Sequence, residues 1–314
     1  ILVPLDGSKL SERVLPHVEQ FARAFQSHVI LLQVLDTNHD TEKVLLDPLT
    51  WQVRKAESDL YLQTIAQDLK QKGFTVEHHL REGRTAESIV QFAQENNIDL
   101  LAICSHGQGG LSRWNLSSVI HKVIEKVYLP VLIVRASEPV HEDDQPLRYK
   151  RILVPFDCSQ RAECAIPTAV ALAQANDSVL VLTTVLKKPD LPIPDVRQEE
   201  LHELSTRFIE LSREVVNTRL LEIRSRLPLD SQVRVLESDN ITQALLELVA
   251  MESIDLVVFC AHGQGGQVAW PYGSVVSTYI EYGDQPVLVI QDMPPQLAHP
   301  TQAEIAAEKY GSRG

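Results

Sequence analysis

Residues 100–135 run as an apolar stretch, a glycine-rich loop, a helix-like segment and a second apolar stretch, and residues 256–290 repeat that order. In the first copy Leu100-Leu101-Ala102-Ile103-Cys104 leads into Ser105-His106-Gly107-Gln108-Gly109-Gly110, and Pro130-Val131-Leu132-Ile133-Val134 closes the unit. In the second, Leu256-Val257-Val258-Phe259-Cys260 leads into Ala261-His262-Gly263-Gln264-Gly265-Gly266, and Pro286-Val287-Leu288-Val289-Ile290 closes it. Apolar runs this short, bounded by turn residues, fit strands buried on both faces. Strand, loop of exposed backbone amides, helix and strand, used twice, predict a duplicated fold of the phosphate- or nucleotide-binding kind.

The rest of each half extends this pattern. Ile1-Leu2-Val3-Pro4-Leu5 predicts a strand ending at Asp6-Gly7-Ser8, after which Ser8 or Ser11 is placed to cap a helix carrying Val14, Leu15, Val18, Phe21 and Ala22. Val29 to Leu35 predicts a second strand, Val53, Ala56, Leu60, Ile65 and Leu69 an amphipathic helix, and Val76 to Leu80 a third strand. A helix capped by Thr85 carries Ile89, Val90 and Phe92 on one face and ends near Asn96-Asn97. Strands alternating with helices give an α/β class: two tandem open five-stranded, mostly parallel sheets flanked by helices. The second half restarts at Arg151-Ile152-Leu153-Val154-Pro155-Phe156-Asp157, nearly a copy of the first strand.

The expected division is a first domain at 1–136, a linker at 137–150 marked by Pro139, Glu142, Asp143, Asp144 and Pro146, a second domain at 151–292 and a tail at 293–314 with a helix around Gln302 to Lys309. The second copy is slightly longer, in the segment after Val185. There Leu201, Leu204, Phe208, Leu211 and Val215 recur at spacings of three and four, predicting a long helix whose stripe packs on the core; a partner-helix surface is the alternative.

With 314 residues, 44% hydrophobic and 23% charged, the chain has the composition of a soluble protein with two cores. A net charge of −13 excludes a basic glove for nucleic acid, so any polyphosphate must be gripped locally by backbone amides or a bound metal. Cys104, Cys158, Cys164 and Cys260 show no zinc-type pairing and predict reduced thiols in a cytoplasmic protein. No apolar run approaches the roughly 20 residues of a membrane helix, and the opening strand lacks the pattern of a secretory leader. Neither a nucleic acid nor a membrane is therefore an expected partner.

The order Pro-x-Asp, then His-Gly, nine residues, a small residue, Ser-Val, and finally Pro-Val-Leu-x-Val resembles the universal stress protein family, in tandem over essentially the whole chain. The resemblance implies a Rossmann-like, adenine nucleotide alpha hydrolase-like sheet and binding of ATP or another adenine nucleotide, with Mg²⁺ as its companion ion and no metal ligand from protein side chains. Nucleotide-binding members carry Gly, two residues, Gly, nine residues, Gly, then Ser or Thr. The second half supplies Cys260, His262, Gly263, Gly273, Ser274 and Val275 at those positions, and departs only at Cys260. The first supplies Cys104, His106, Gly107, Ser117, Ser118 and Val119, lacking two of the three glycines. By the same resemblance Asp157 after Pro155, with Asp6 after Pro4 as counterpart, accepts hydrogen bonds from adenosine. Val185 and Val34 offer main-chain contacts to the base, and Ser274 a hydroxyl to phosphate.

Each of these residues has a plainer role open to it. An aspartate after a strand also caps the next helix, the histidines also brace a loop, the cysteines also fill a core, and a glycine loop is also a tight turn. The chain has no P-loop and no constellation that positions a nucleophile, so at most a slow ATP hydrolysis is expected. Two functions compete: a stress-response protein regulated by adenine nucleotide held mainly in its second half, and an interaction scaffold that binds none. Val131 to Val134 and Val287 to Ile290 are apolar edge candidates, which predicts that the halves pair through them as an intramolecular pseudo-dimer and leaves a further homodimer open.

Overall fold

The computed structural model describes residues 1–36, 48–106, 116–136, 147–189, 198–263 and 271–292, without the side chains of 198–201. Gly107, most of the expected linker (137–146), and the tail at 293–314 with its expected helix lie outside the described residues.

The first half runs β1 (Leu2–Pro4), a 3-10 turn (Ser11–Val14), α1 (Leu15–Phe25), β2 (Val29–Asp36), α2 (Pro48–Gln71), β3 (Val76–Gly83), α3 (Thr85–Glu95), β4 (Leu101–Cys104), α4 (Ser118–Lys126) and β5 (Val131–Val134). The second repeats it as β6 (Arg151–Pro155), a 3-10 turn (Ala162–Cys164), α5 (Ala165–Asn176), β7 (Val179–Leu186), α6 (Gln198–Arg226), β8 (Ser231–Glu237), α7 (Ile241–Met251), β9 (Leu256–Cys260), α8 (Ser274–Tyr282) and β10 (Val287–Ile290). Thr85 is the first helical residue of α3 rather than its cap, the cap position being Arg84.

All these strands join one sheet in the order β3-β2-β1-β4-β5-β10-β9-β6-β7-β8. Pairing is parallel within each half and antiparallel where they meet, with Val287 opposite Ile133 and Val289 opposite Val131. Taken alone, each half would expose β5 or β10 as a wholly apolar edge; pairing them removes both edges at once. The outer strands that remain, β3 with Glu77, Arg81 and Glu82 and β8 with Arg234 and Glu237, carry charge along their length, as an exposed edge requires.

Side chains alternate across the sheet with the strand period of two, and each face has its own core running through both halves. Val3, Leu132 and Leu288 pack with Phe21 of α1, Leu62 of α2, Leu172 of α5 and Leu220 of α6. Leu2, Ile133 and Val289 pack on the other face with Phe92 of α3, Val123 of α4, Leu245 of α7 and Tyr279 of α8. Among the described residues no helix is long and apolar enough to cross a membrane.

Two helical stripes depart from expectation. In α6, Leu204, Phe208, Leu211 and Val215 are exposed, and the core is reached by Ile209, Leu220 and Ile223 instead. The cause is helical phase. At about 100° per residue Ile209, Leu220 and Ile223 share one face, and Leu204, Leu211 and Val215 lie on the opposite one, so Ile209 is buried although its neighbours Phe208 and Leu211 are exposed. In α2 the buried positions are Ser58, Leu62, Ala66 and Leu69, leaving Val53, Ala56 and Leu60 on the solvent side.

Tyr149, near the end of the expected linker, is fully buried. Its hydroxyl lies 2.7 Å from His17 Nδ1 of α1, its carbonyl accepts from Ser178 Oγ, and its ring meets Phe21 edge-on. The entry to the second half is thus packed against the first half's helix. On the opposite face Arg135, just after β5, donates to the Ile280 carbonyl near the end of α8, where the helix dipole favours a cation.

Candidate functional site

In each half the strand order reverses beside the first strand, which lies between the second and the fourth, and the crevice at the carboxyl ends of an open α/β sheet opens at that point. A cavity lies there in both halves. The first, of about 690 Å³, is lined by Pro4, Asp6, Val34, Cys104, His106, Ser117, Ser118 and Val119, all of the first-half residues expected except Gly107. The second, of about 480 Å³, is lined by Pro155, Asp157, Val185, Cys260, His262, Gly263, Gly273, Ser274 and Val275, the complete second-half set. Both volumes suit a small-molecule ligand.

The aspartates begin identically. Asp157 Oδ1 accepts from the Ser159 amide at 3.0 Å and its hydroxyl at 2.6 Å, and Ser159 Oγ accepts in turn from the Ala162 amide. Asp6 does the same with Ser8, whose Oγ accepts from the Ser11 amide. One carboxylate oxygen in each half therefore organises the turn into the following helix. In the second half the other oxygen faces Gly263, where a Cβ would overlap Asp157 Oδ2. A side chain at that position would push the Asp157 carboxylate aside, so glycine lets the loop after β9 close on the aspartate after β6 with its carboxylate in place.

The histidines brace their loops. His262 is buried with Nδ1 2.7 Å from Asp292 Oδ1, and Asp292 also pairs with Arg161 at 3.1 Å. His106 Nδ1 lies 3.0 Å from Ser105 Oγ, which accepts from the Ala136 amide. The loop after the fourth strand is thus tied to the residues following the last strand of its own half, by His262 itself in the second half and by Ser105, which His106 contacts, in the first. The Cys104 thiol, pushed up to about 11 by burial, is an unreactive wall residue.

The halves differ at the helix that points into the cavity. Both helices are entered by the same backbone bond, Ser117 N to Ser105 O and Gly273 N to Ala261 O. Ser117 then caps α4, its hydroxyl accepting from the Ile120 amide at 3.3 Å. Gly273 stands in the same place before α8 and offers no side-chain cap. Among the described residues no side chain caps α8, and a helix start without a side-chain cap that faces a cavity suits an anion.

The cavities also differ in walls the sequence did not disclose. Arg54, Glu57 and Tyr61 of α2 line the first. Ile241, Leu245, Phe259 and Tyr272 make the second more apolar, and no described residue of α6 reaches it. Helix α2 carries no local mark of this role; its face is set by packing on β2 and β3.

The profile of the universal stress protein family matches residues 1–135 and 148–291. The chain belongs to this family. It carries two such domains in tandem, each an α/β unit with a mostly parallel sheet. A universal stress protein of Methanocaldococcus jannaschii is 32% identical over 151 residues, covering 43% of this chain and 93% of its own. One of Mycobacterium bovis is 28% identical over 195 residues, 62% of either chain. The crystal structure of a universal stress protein from Archaeoglobus fulgidus superposes over 93% of this chain and 98% of its own with a TM-score of 0.65 at 19% identity, a likeness of fold.

Proposed function

We propose that this tandem universal stress protein holds ATP or a related adenine nucleotide in its second half as a regulatory ligand. The observation that carries the reading is the uncapped start of α8 at Gly273, which opens into the cavity that also contains Asp157, Val185 and Ser274. Phosphates would take the first-turn amides of α8 and the Ser274 hydroxyl. Asp157 would accept from the ribose, and the base would lie against Val185 with Ile241 and Leu245 in the apolar wall. Among the described residues no group of three or more His, Cys, Asp or Glu could hold a metal ion. A Mg²⁺ arriving with the nucleotide would therefore be ligated by phosphate oxygens and water.

Chromatography of nucleotide released from freshly purified protein tests this, together with calorimetry against ATP and AMP in the presence of magnesium. Expected are an adenine nucleotide in the released fraction or a measurable binding heat, and an affinity about tenfold lower in Gly273→Ser, whose hydroxyl would take a first-turn amide. Clean protein that gives no heat with either nucleotide sinks the proposal.

One observation favours the scaffold reading as well: the exposed row Leu204, Phe208, Leu211 and Val215 on α6. Phe208→Glu that leaves nucleotide binding intact but abolishes an association seen by sedimentation would assign the row to a partner.

A further inference from the structure

Three of the four cysteines lie in the second half, and two of them are neighbours in space. Cys164 ends the 3-10 turn that enters α5, Cys260 ends β9, and their sulfurs are 3.2 Å apart although the residues are 96 positions apart in sequence. We propose that Cys164 and Cys260 form a hydroperoxide-reactive dithiol that closes reversibly to a disulfide in the wall of the second cavity.

The two thiols are unequal. Cys164 is half-buried, and its contact with Cys260 pulls its thiol below the ordinary range. Cys260 is pushed up by that same contact and by burial. Its sulfur also sits 3.0 Å from the His262 carbonyl and 3.3 Å from that of Arg161, acceptors that keep its proton in place. Cys164 is therefore the attacking sulfur and Cys260 the resolving one. Cys164 is partly exposed, which gives a small hydroperoxide access to the attacking sulfur, and the resolving Cys260 lines the cavity.

In the first step the Cys164 thiolate attacks one oxygen of the hydroperoxide. An S–O bond forms, the O–O bond breaks, and the departing alkoxide or hydroxide is protonated to an alcohol or water. In the second step Cys260 attacks the Cys164 sulfenic sulfur; the S–S bond forms, the S–O bond breaks, and hydroxide leaves as water with the Cys260 proton. Two thiols are oxidised by two electrons in all, and one hydroperoxide is reduced. Closure brings the sulfurs from 3.2 Å to a bond of about 2.05 Å, a shift of about 1 Å within reach of side-chain rotation.

The first half provides the internal control. Arg13 stands where Cys164 does, donating to the Ala136 carbonyl, and Cys104 is the counterpart of Cys260 with its thiol raised to about 11 by burial. The remaining thiol, Cys158, is raised by burial and lies 3.9 Å from the Thr184 hydroxyl.

The test uses the whole chain, reduced, exposed to a small excess of hydrogen peroxide, alkylated under unfolding conditions and mapped by peptide mass spectrometry. Expected is a cross-linked peptide pair containing Cys164 and Cys260, lighter by two hydrogens and restored by dithiothreitol, with Cys104 and Cys158 alkylated. Cys164→Ser should slow thiol loss by at least about tenfold, and Cys260→Ser should stop at a Cys164 sulfenic acid trapped by dimedone. Alkylation of all four cysteines after peroxide, or a disulfide joining any other pair, would overturn the proposal. The wild-type map depends neither on the variants folding nor on nucleotide binding, so its result is independent of the reading given above.

Discussion

The two cavities share strand ends, an aspartate-serine turn, a histidine-braced loop and the backbone bond that enters the fourth helix of each half. Besides their walls, they part at the start of that helix. Ser117 fills the start of α4 with its own hydroxyl, whereas Gly273 leaves the start of α8 open. A serine there stabilises the helix and occupies an amide that a ligand could use; a glycine gives up a little helix stability and leaves the amides available. The same division runs through the turn after the first strand, where Gly7 takes a positive φ of 83° without strain and Cys158 is held at 62° in the second half. The second half carries both the strain and the open amides, and it also holds the close thiol pair. Local rules are relaxed where function is proposed.

That contrast can be broken experimentally. The largest effect is expected at the aspartates: Asp157→Ala should weaken nucleotide binding by roughly 10- to 100-fold, the worth of a hydrogen bond to a charged group, while Asp6→Ala leaves the bound stoichiometry unchanged. Both should lose about 1 kcal/mol of stability with the serine turn, so calorimetry and urea unfolding together separate ligand from scaffold. Loss of binding in Asp6→Ala alone would reverse the assignment of the halves.

A smaller effect lies at the turns. Cys158→Gly should raise stability by about 1 kcal/mol and Gly7→Ala lower it by a similar amount, because a Cβ is strained at positive φ. Urea unfolding midpoints at constant slope would show it. Smallest are the cap exchanges. Ser117→Gly should cost a few tenths of a kcal/mol and Gly273→Ser return about as much; equal shifts of the same sign in both would show that the two helix starts are not a mirror pair.

Much of this was readable from the chain. The apolar runs became strands because runs of four or five residues between turn formers have few other buried solutions, and the glycine loop marked the carboxyl edge of the sheet on which both cavities open. Ser117 illustrates a signal present and undervalued: as a missing glycine it implied only a poorer loop, yet a serine directly before a helical segment is a capping signal, and it caps. The stripes on α2 and α6 misled because helical spacing shows that a helix has an apolar row, not which face the tertiary packing turns to the sheet: Leu60 is exposed between buried Ser58 and Leu62, and Ile209 is buried between exposed Phe208 and Leu211.

Local pattern thus established the alternation of strand and helix and the candidate loops, since each depends on residues a few positions apart, and the recurrence of that pattern established the duplication. Only the folded chain set the antiparallel register that joins the halves into one sheet, chose which helical faces were buried, packed Tyr149 against His17 and set Cys164 beside Cys260. Those outcomes rest on contacts between residues far apart in sequence, and no spacing along the chain encodes the distance between them.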